Sequence, residues 1–209
     1  MRRTADVTDS SSRTLEARLE VLEAREAIRD VLYRYTRGAD RVDIELFKSC
    51  YHPDAFDAHW FWNGNAHEYA DWVFPMLSQL HGSQHSITNP IIELDGDRAF
   101  VESQWYVVHR VPLDEKRLVD QQVEGRYLDI FERRNGEWKI LHRQTVADAF
   151  REHVLEYDKV TRYPEGSPAL GRRYPDDLVY KGFDLLDEPI EPAHGVDLWA
   201  LVRERHGVR

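Results

Sequence analysis

HGSQHSITNPIIELDGDRAFVESQWYVVHRV, residues 81–111, decides how the chain is read. Asp95-Gly96 lies between two apolar-rich runs, and an Asp-Gly in that setting is the strongest short-range signal for a β-hairpin. The spacing predicts a strand that carries His85, with Ile87 and Asn89 two and four residues further along the same face. An inward-facing histidine needs partners for its ring nitrogens, or it destabilises the fold. The rest of the chain has to supply one.

Downstream of this stretch the period stays at two. Strands are expected from Ala99 to Val111, from Leu118 to Glu132 and from Trp138 to about Phe150, with Asn135-Gly136 marking a second hairpin. Upstream the period is helical. LEARLEVLEAREAIRDVLYRYTRGAD places Leu15, Leu19, Leu22, Ile28, Val31, Leu32 and Tyr35 on one stripe, and Gly38 is expected to end that helix. Asp43 can cap a short helix, IELFKSCY, which Pro53 stops. YHPDAFDAHWFW reads as a short aromatic strand or turn, broken by NGN. AHEYADWVFPMLSQLHG reads as a third helix despite Pro75, with Tyr69, Val73, Met76, Leu77 and Leu80 as its apolar side. Helices followed by hairpin-connected strands imply an α+β fold, a curved antiparallel sheet wrapped around N-terminal helices. Such a cone has an apolar interior suited to a small molecule.

Three segments are expected: a disordered N-terminus over 1–14, a folded domain over 15–150, and an extended C-terminal arm over 151–209. The arm is rich in Pro and Gly at first, and a short helix is expected around Leu198 to Val202. Of the 209 residues, 42% are hydrophobic and 32% charged, the balance of a soluble domain with a real core. A net charge of -10 argues against nucleic acid as a partner. No apolar run approaches the roughly 20 residues of a membrane helix, and the polar start does not read as a signal peptide. Cys50 is the single cysteine, so a reducing cytoplasm is the expected location and a buried structural thiol the expected role. His81 and His85 have the spacing of a helical zinc pair, but Gly82 and the alternation after it argue against a helix there. With no His-Glu-x-x-His, phosphate loop or Gly-x-Ser-x-Gly elbow, the expectation is no metal and no cofactor.

The best partner for His85 is Asp40, expected just after the first helix. Taken singly, Asp40 reads as a solvated loop aspartate and His85 as a core histidine bonded to a carbonyl. The order of motifs carries more. Y-x-x-x-x-D after a first helix, HPDA, a third helix, H-x-x-x-N opening a strand, DGD-A, then GRYLDIFERRNGEWKI and a following Arg resemble the SnoaL-like group of the nuclear transport factor 2-like (cystatin-like α+β) superfamily. Within it the pattern is similar to the lyases scytalone dehydratase, hexachlorocyclohexane dehydrochlorinase and bile-acid 7α-dehydratase, over roughly Leu15 to Phe150.

The resemblance implies that His85 is a general base held by Asp40, with Tyr35 as a donor to the leaving group. Tyr51, His59, Trp60, Asn89 and Arg143 would then line the substrate site. It implies a cofactor-independent lyase, of dehydratase or dehydrohalogenase type. The substrate would be a mostly apolar ring compound of the steroid, polyketide or terpenoid class. A homo-oligomer is expected, a trimer before a dimer. A cyclase or isomerase of the same fold, a noncatalytic partner like the small subunit of ring-hydroxylating oxygenases, and an inert ligand-binding module are the alternatives.

Overall fold

Thr14 opens the first helix by accepting the Ala17 N–H at 3.2 Å, and α1 then runs over Leu15–Arg41. The computed structural model describes residues 14–59, 61–156 and 171–187, together with positions 203 and 207. The order of elements after α1 is α2 (Ile44–Ser49), β1 (Tyr51–His59), β2 (Trp62–Asn65), α3 (Ala66–Leu77), β3 (Gly82–Asp95), β4 (Arg98–Pro112), β5 (Arg117–Arg134) and β6 (Glu137–Glu156). The segment expected to be disordered lies outside the described residues up to position 13.

Gly38 does not end α1. The helix continues to Arg41, and Val42, at φ 57°, turns the chain out of it. Gly38 serves close packing instead, because a Cβ there would stand 2.8 Å from the backbone nitrogen of Phe47 in α2. One consequence is that Asp40 belongs to the last helical turn. The apolar stripe also differs at its start: Leu15, Leu19 and Leu22 are exposed, and burial begins at Ala24 and continues through Ile28, Val31, Leu32 and Tyr35. Asp43 caps α2 by accepting the Leu46 N–H at 3.0 Å, as its side chain and position imply.

The aromatic stretch after α2 is a full strand with a short partner. β1 pairs antiparallel with β2 and parallel with β6, so the sheet order is β2-β1-β6-β5-β4-β3 and every other pairing is antiparallel. NGN belongs to β2, and its last residue, Asn65, caps α3 by accepting the N–H groups of His67 and Glu68. On α3 the buried side is Ala66, Tyr69, Ala70, Phe74 and Leu77, while Met76 is exposed.

Both hairpins form at the glycines. Gly96 takes φ 59° in a two-residue loop closed by the Asp95–Arg98 pair. Asn135 and Gly136, at φ 54° and 86°, make the doubly left-handed turn that the twist of flanking strands favours. β3 and β4 lose register between Thr88 and Ile91, where Asn89 adopts φ 52°. The sheet's concave face packs Val101, Val107, Phe131 and Ile140 against Ile28, Val31, Leu32 and Phe47 of the helices. Each such buried side chain contributes about 1.5–3 kcal/mol before entropy is counted.

This first compact unit reaches Asp177. Residues 171–177 are tied to the end of α1: the Tyr174 N–H donates to the Arg41 carbonyl at 2.6 Å, and the Arg41 side chain pairs with Asp177 at 3.5 Å. The second unit begins at Leu178 with a 3₁₀ segment, Leu178–Asp187, interrupted at Gly182. The helix expected around Leu198 to Val202 lies outside the described residues. Among the described residues no helix is long and apolar enough to cross a membrane.

Candidate active site

The end of α1 and the start of β3 meet at one carboxylate. Asp40 Oδ1 accepts from the Ser83 hydroxyl at 3.0 Å and lies 2.7 Å from His85 Nδ1, while Oδ2 accepts the backbone N–H of His85 at 2.8 Å. Both side chains are nearly buried, 13% exposed for Asp40 and 10% for His85. Burial pushes the Asp40 carboxyl up, but the hydrogen bond and charge of His85, its backbone N–H and Ser83 outweigh that and hold it below its ordinary value. An ionised Asp40 accepts a hydrogen bond from the Nδ1–H of His85, which fixes the tautomer in which Nε2 is the basic nitrogen.

A second histidine stands against this pair. His109 on β4 is opposite Ser83 in register, and its ring is 5.5 Å from that of His85, edge-on. Burial and the neighbouring His85 push His109 down to about 4. It is a neutral imidazole at ordinary pH. Arg173, beyond the last strand but within the same compact unit, donates to the backbone carbonyl of Asp40 and, at 3.1 Å, to that of Leu80. It ties the last turn of α1 to the approach to β3.

Deeper in the cone lies a buried polar cluster. Arg143 on β6 is fully buried and forms a two-pronged ion pair with Asp129 on β5, at 2.8 and 2.7 Å. Its guanidinium is sandwiched 4.1 Å from the Tyr35 ring and 3.8 Å from the Tyr127 ring. Burial drives the Tyr35 phenol far above its ordinary range, against the pull of Arg143, so Tyr35 keeps its proton. Tyr51 donates to Asp57 Oδ2 at 2.5 Å, and His59 Nδ1 bonds the other oxygen of Asp57. His59 stacks on Tyr69 of α3 at 4.5 Å and lies 6.3 Å from Tyr127.

The residues expected at the site therefore divide. Asp40 and His85 meet directly. Tyr35, Tyr51 and Arg143 share the inner cluster, and His59 joins it through Asp57. Asn89 does not belong: the register shift turns it out of the His85 face, where it is exposed and bonds Gln104 at 3.4 Å. Trp60 lies outside the described residues. Because β3 starts at Gly82, His81 and His85 are not a helical pair. Cys50 is buried, and burial pushes its thiol up to about 11, which favours the protonated thiol.

Ser83, His109, Asp57, Asp129, Tyr127 and Arg173 were not anticipated. Some signal for them exists. Ser83-x-His85 and Asp57-x-His59 place two polar residues on one face of a strand, and Asp129 alternates with Tyr127 and Phe131 on a buried face. A carboxylate at such a position demands a partner.

Among the buried polar atoms with no hydrogen-bond partner among the described residues, Ser103 Oγ, Trp105 Nε1 and His109 Nε2 stand on β4 and Arg143 Nη1 and Thr145 Oγ1 on β6. Each unpaired buried group costs about 1–3 kcal/mol, so a face that gathers several is suited to bind a polar molecule. A separate cavity of about 350 Å³ opens on the sheet's outer face beside Ser86, Thr88, Gln104, Tyr106, Glu124 and Asp148. Its two carboxylates are already paired with Arg151 and Arg126. The Asp40–His85 pair and the inner polar cluster lie on the other, concave side.

Solved structures share this architecture. A hexachlorocyclohexane dehydrochlorinase of type 2 is 19% identical, with 72% of this chain and 99% of that one covered at a TM-score of 0.59. A putative scytalone dehydratase from Novosphingobium aromaticivorans is 18% identical, covering 66% and 91%, with a TM-score of 0.58. The protein Kfla4162 from Kribbella flavida is 16% identical over 63% and 95%, with a TM-score of 0.56. At these identities the likeness is one of fold. No curated protein matches the sequence. The model of the SnoaL-like domain, by contrast, matches residues 20–144, from within α1 to the middle of β6 and so across both the Asp40–His85 pair and the inner cluster, and the chain belongs to that family.

Proposed function

We propose that the protein is a cofactor-independent lyase in which His85 removes a proton from a carbon of the substrate and Asp40 orients the ring and stabilises the imidazolium. The observation that carries this reading is the Asp40–His85 contact at 2.7 Å, with the second carboxylate oxygen fixed on the His85 backbone. A carboxylate held at two points fixes both ring orientation and tautomer. Loss of a leaving group from the neighbouring carbon completes an elimination. The aromatic walls, with Tyr35, Trp105 and Tyr127 among them, favour a mostly apolar ring compound of the steroid, polyketide or terpenoid class, and the unpaired donors favour one that carries oxygen. Tyr35 donates no bond to the Asp40–His85 pair, and its contribution is to hold the guanidinium of Arg143.

The test is a screen of hydroxylated and halogenated ring compounds without added metal or nucleotide. His85→Ala keeps the backbone N–H that binds Asp40, so the fold survives while turnover falls ~100- to 10,000-fold. Asp40→Asn favours the wrong tautomer and is impaired on a similar scale, roughly 10,000-fold at most. Turnover that survives in the double variant overturns the assignment.

A further inference from the structure

We propose that His59, held by Asp57, is the general acid of the same reaction, and that the substrate's leaving group is therefore a hydroxyl. This rests on His85 as the base. Asp57 is fully buried and has two partners, the Tyr51 hydroxyl and His59 Nδ1. Burial pushes the Asp57 carboxyl up, but the charge and hydrogen bond of His59, then Arg143 and Tyr51, outweigh it and hold it below its ordinary value. The anion orients the ring through Nδ1 and leaves Nε2 to exchange protons, the same arrangement as at Asp40 and His85. His59 is the accessible member of its pair, at 18% of its side chain against none for Asp57, and its ring stands beside Tyr69 and Tyr127.

The two pairs flank one aromatic floor. Tyr127 is 6.3 Å from the His59 ring and 5.5 Å from that of Trp105, and Trp105 lies opposite Ile87, two residues from His85. A structural account of His59 requires no carboxylate, because stacking on Tyr69 and one carbonyl would satisfy a wall residue. A fully buried aspartate that already holds a tyrosine hydroxyl is costly for that purpose alone.

The step balances. His85 Nε2 takes the proton from carbon, the C–H electron pair becomes the new C=C bond, and the adjacent C–O bond breaks. The departing hydroxide takes the Nε2 proton of a protonated His59 and leaves as water. Chloride would leave as a stable anion and would need no such proton. The groups that face His59 are Asp57 on its own strand, Tyr69 on α3, Tyr127 and Asp129 on β5, and Arg143 on β6.

The probes are 1-decalone, its 3-hydroxy derivative and its 3-chloro derivative, assayed with the full-length protein. Deuterium exchange at C2 of 1-decalone reports the base alone. Loss of hydroxide and loss of chloride, the latter above its spontaneous rate, report the acid by their ratio. His59→Gln keeps an N–H for Asp57 and is expected to lower hydroxide loss about 100-fold more than it lowers chloride loss. His85→Ala should lower exchange and both eliminations in proportion. If His59→Gln fails to fold, the wild-type ratio carries the test, since hydroxide loss should fall relative to chloride loss as pH rises. Exchange with no hydroxide loss, or a ratio unmoved by His59→Gln or by pH, overturns the acid while leaving the base standing. No exchange and no elimination overturns both.

Discussion

His109 shows what a single residue's surroundings can do. With an unfolded value near 6.5 and a folded value of about 4, it binds a proton more readily in the unfolded chain. A depressed folded pKa means that its contribution is fully present above pH 6.5 and is lost as pH falls towards 4. Between pH 7.5 and 5 this amounts to about 2 kcal/mol. Burial sets it first, then the charge of His85, with Arg173 adding to the shift and Asp40 opposing it. Urea unfolding at the two pH values should show the wild type losing about that much more than His109→Gln. Equal losses in the two proteins would mean that His109 titrates normally. Arg143 is the opposite case: burial works against its charge, but Asp129 and the surrounding tyrosines hold the guanidinium charged. Its pair with Asp129 breaks only at a cost of roughly 3–5 kcal/mol.

Among the elements, the contact of α1 with α2 matters most for the site, because the last turn of α1 carries Asp40. Gly38 permits that contact. In an unconstrained helix Gly38→Ala would stabilise by up to about 1 kcal/mol. Here the new Cβ meets the backbone nitrogen of Phe47 at 2.8 Å and its Cα at 3.0 Å, neither of which can rotate away. The expected outcome is destabilisation of about 1–3 kcal/mol in urea, together with reduced turnover as Asp40 shifts. A stabilised variant would show that the two helices separate freely.

For the whole molecule, the exposed apolar side chains argue for assembly. Leu15, Leu19 and Leu22 form an uncovered stripe on α1, and Ile91, Phe100 and Val154 are uncovered on the strands, at 60%, 40% and 59% exposure. An apolar stripe such as the one on α1 is the kind of surface that meets another subunit. Light scattering should give the mass of three chains of 24.7 kDa. A mass of one chain at micromolar concentration would contradict assembly, and a mass of two would replace the trimer by a dimer.

What the sequence determined by itself was whatever depends on neighbours along the chain. Alternation and the Gly96 and Gly136 turns gave the hairpins, and Asp43 gave the cap of α2. The pairing of Asp40 with His85 was legible through the order of motifs, not through the spacing of the two residues. The structure decided the rest. Gly38 looked like a helix end because its packing partner, Phe47, is on another helix. Asn89 looked inward because a register shift is invisible to a period of two. The Arg143–Asp129 pair, the approach of His109 to His85 and the parallel docking of β1 beside β6 join residues from different strands. Such pairs are fixed by the register of the curved sheet, and register is set by how all its buried faces pack together, not by any one segment.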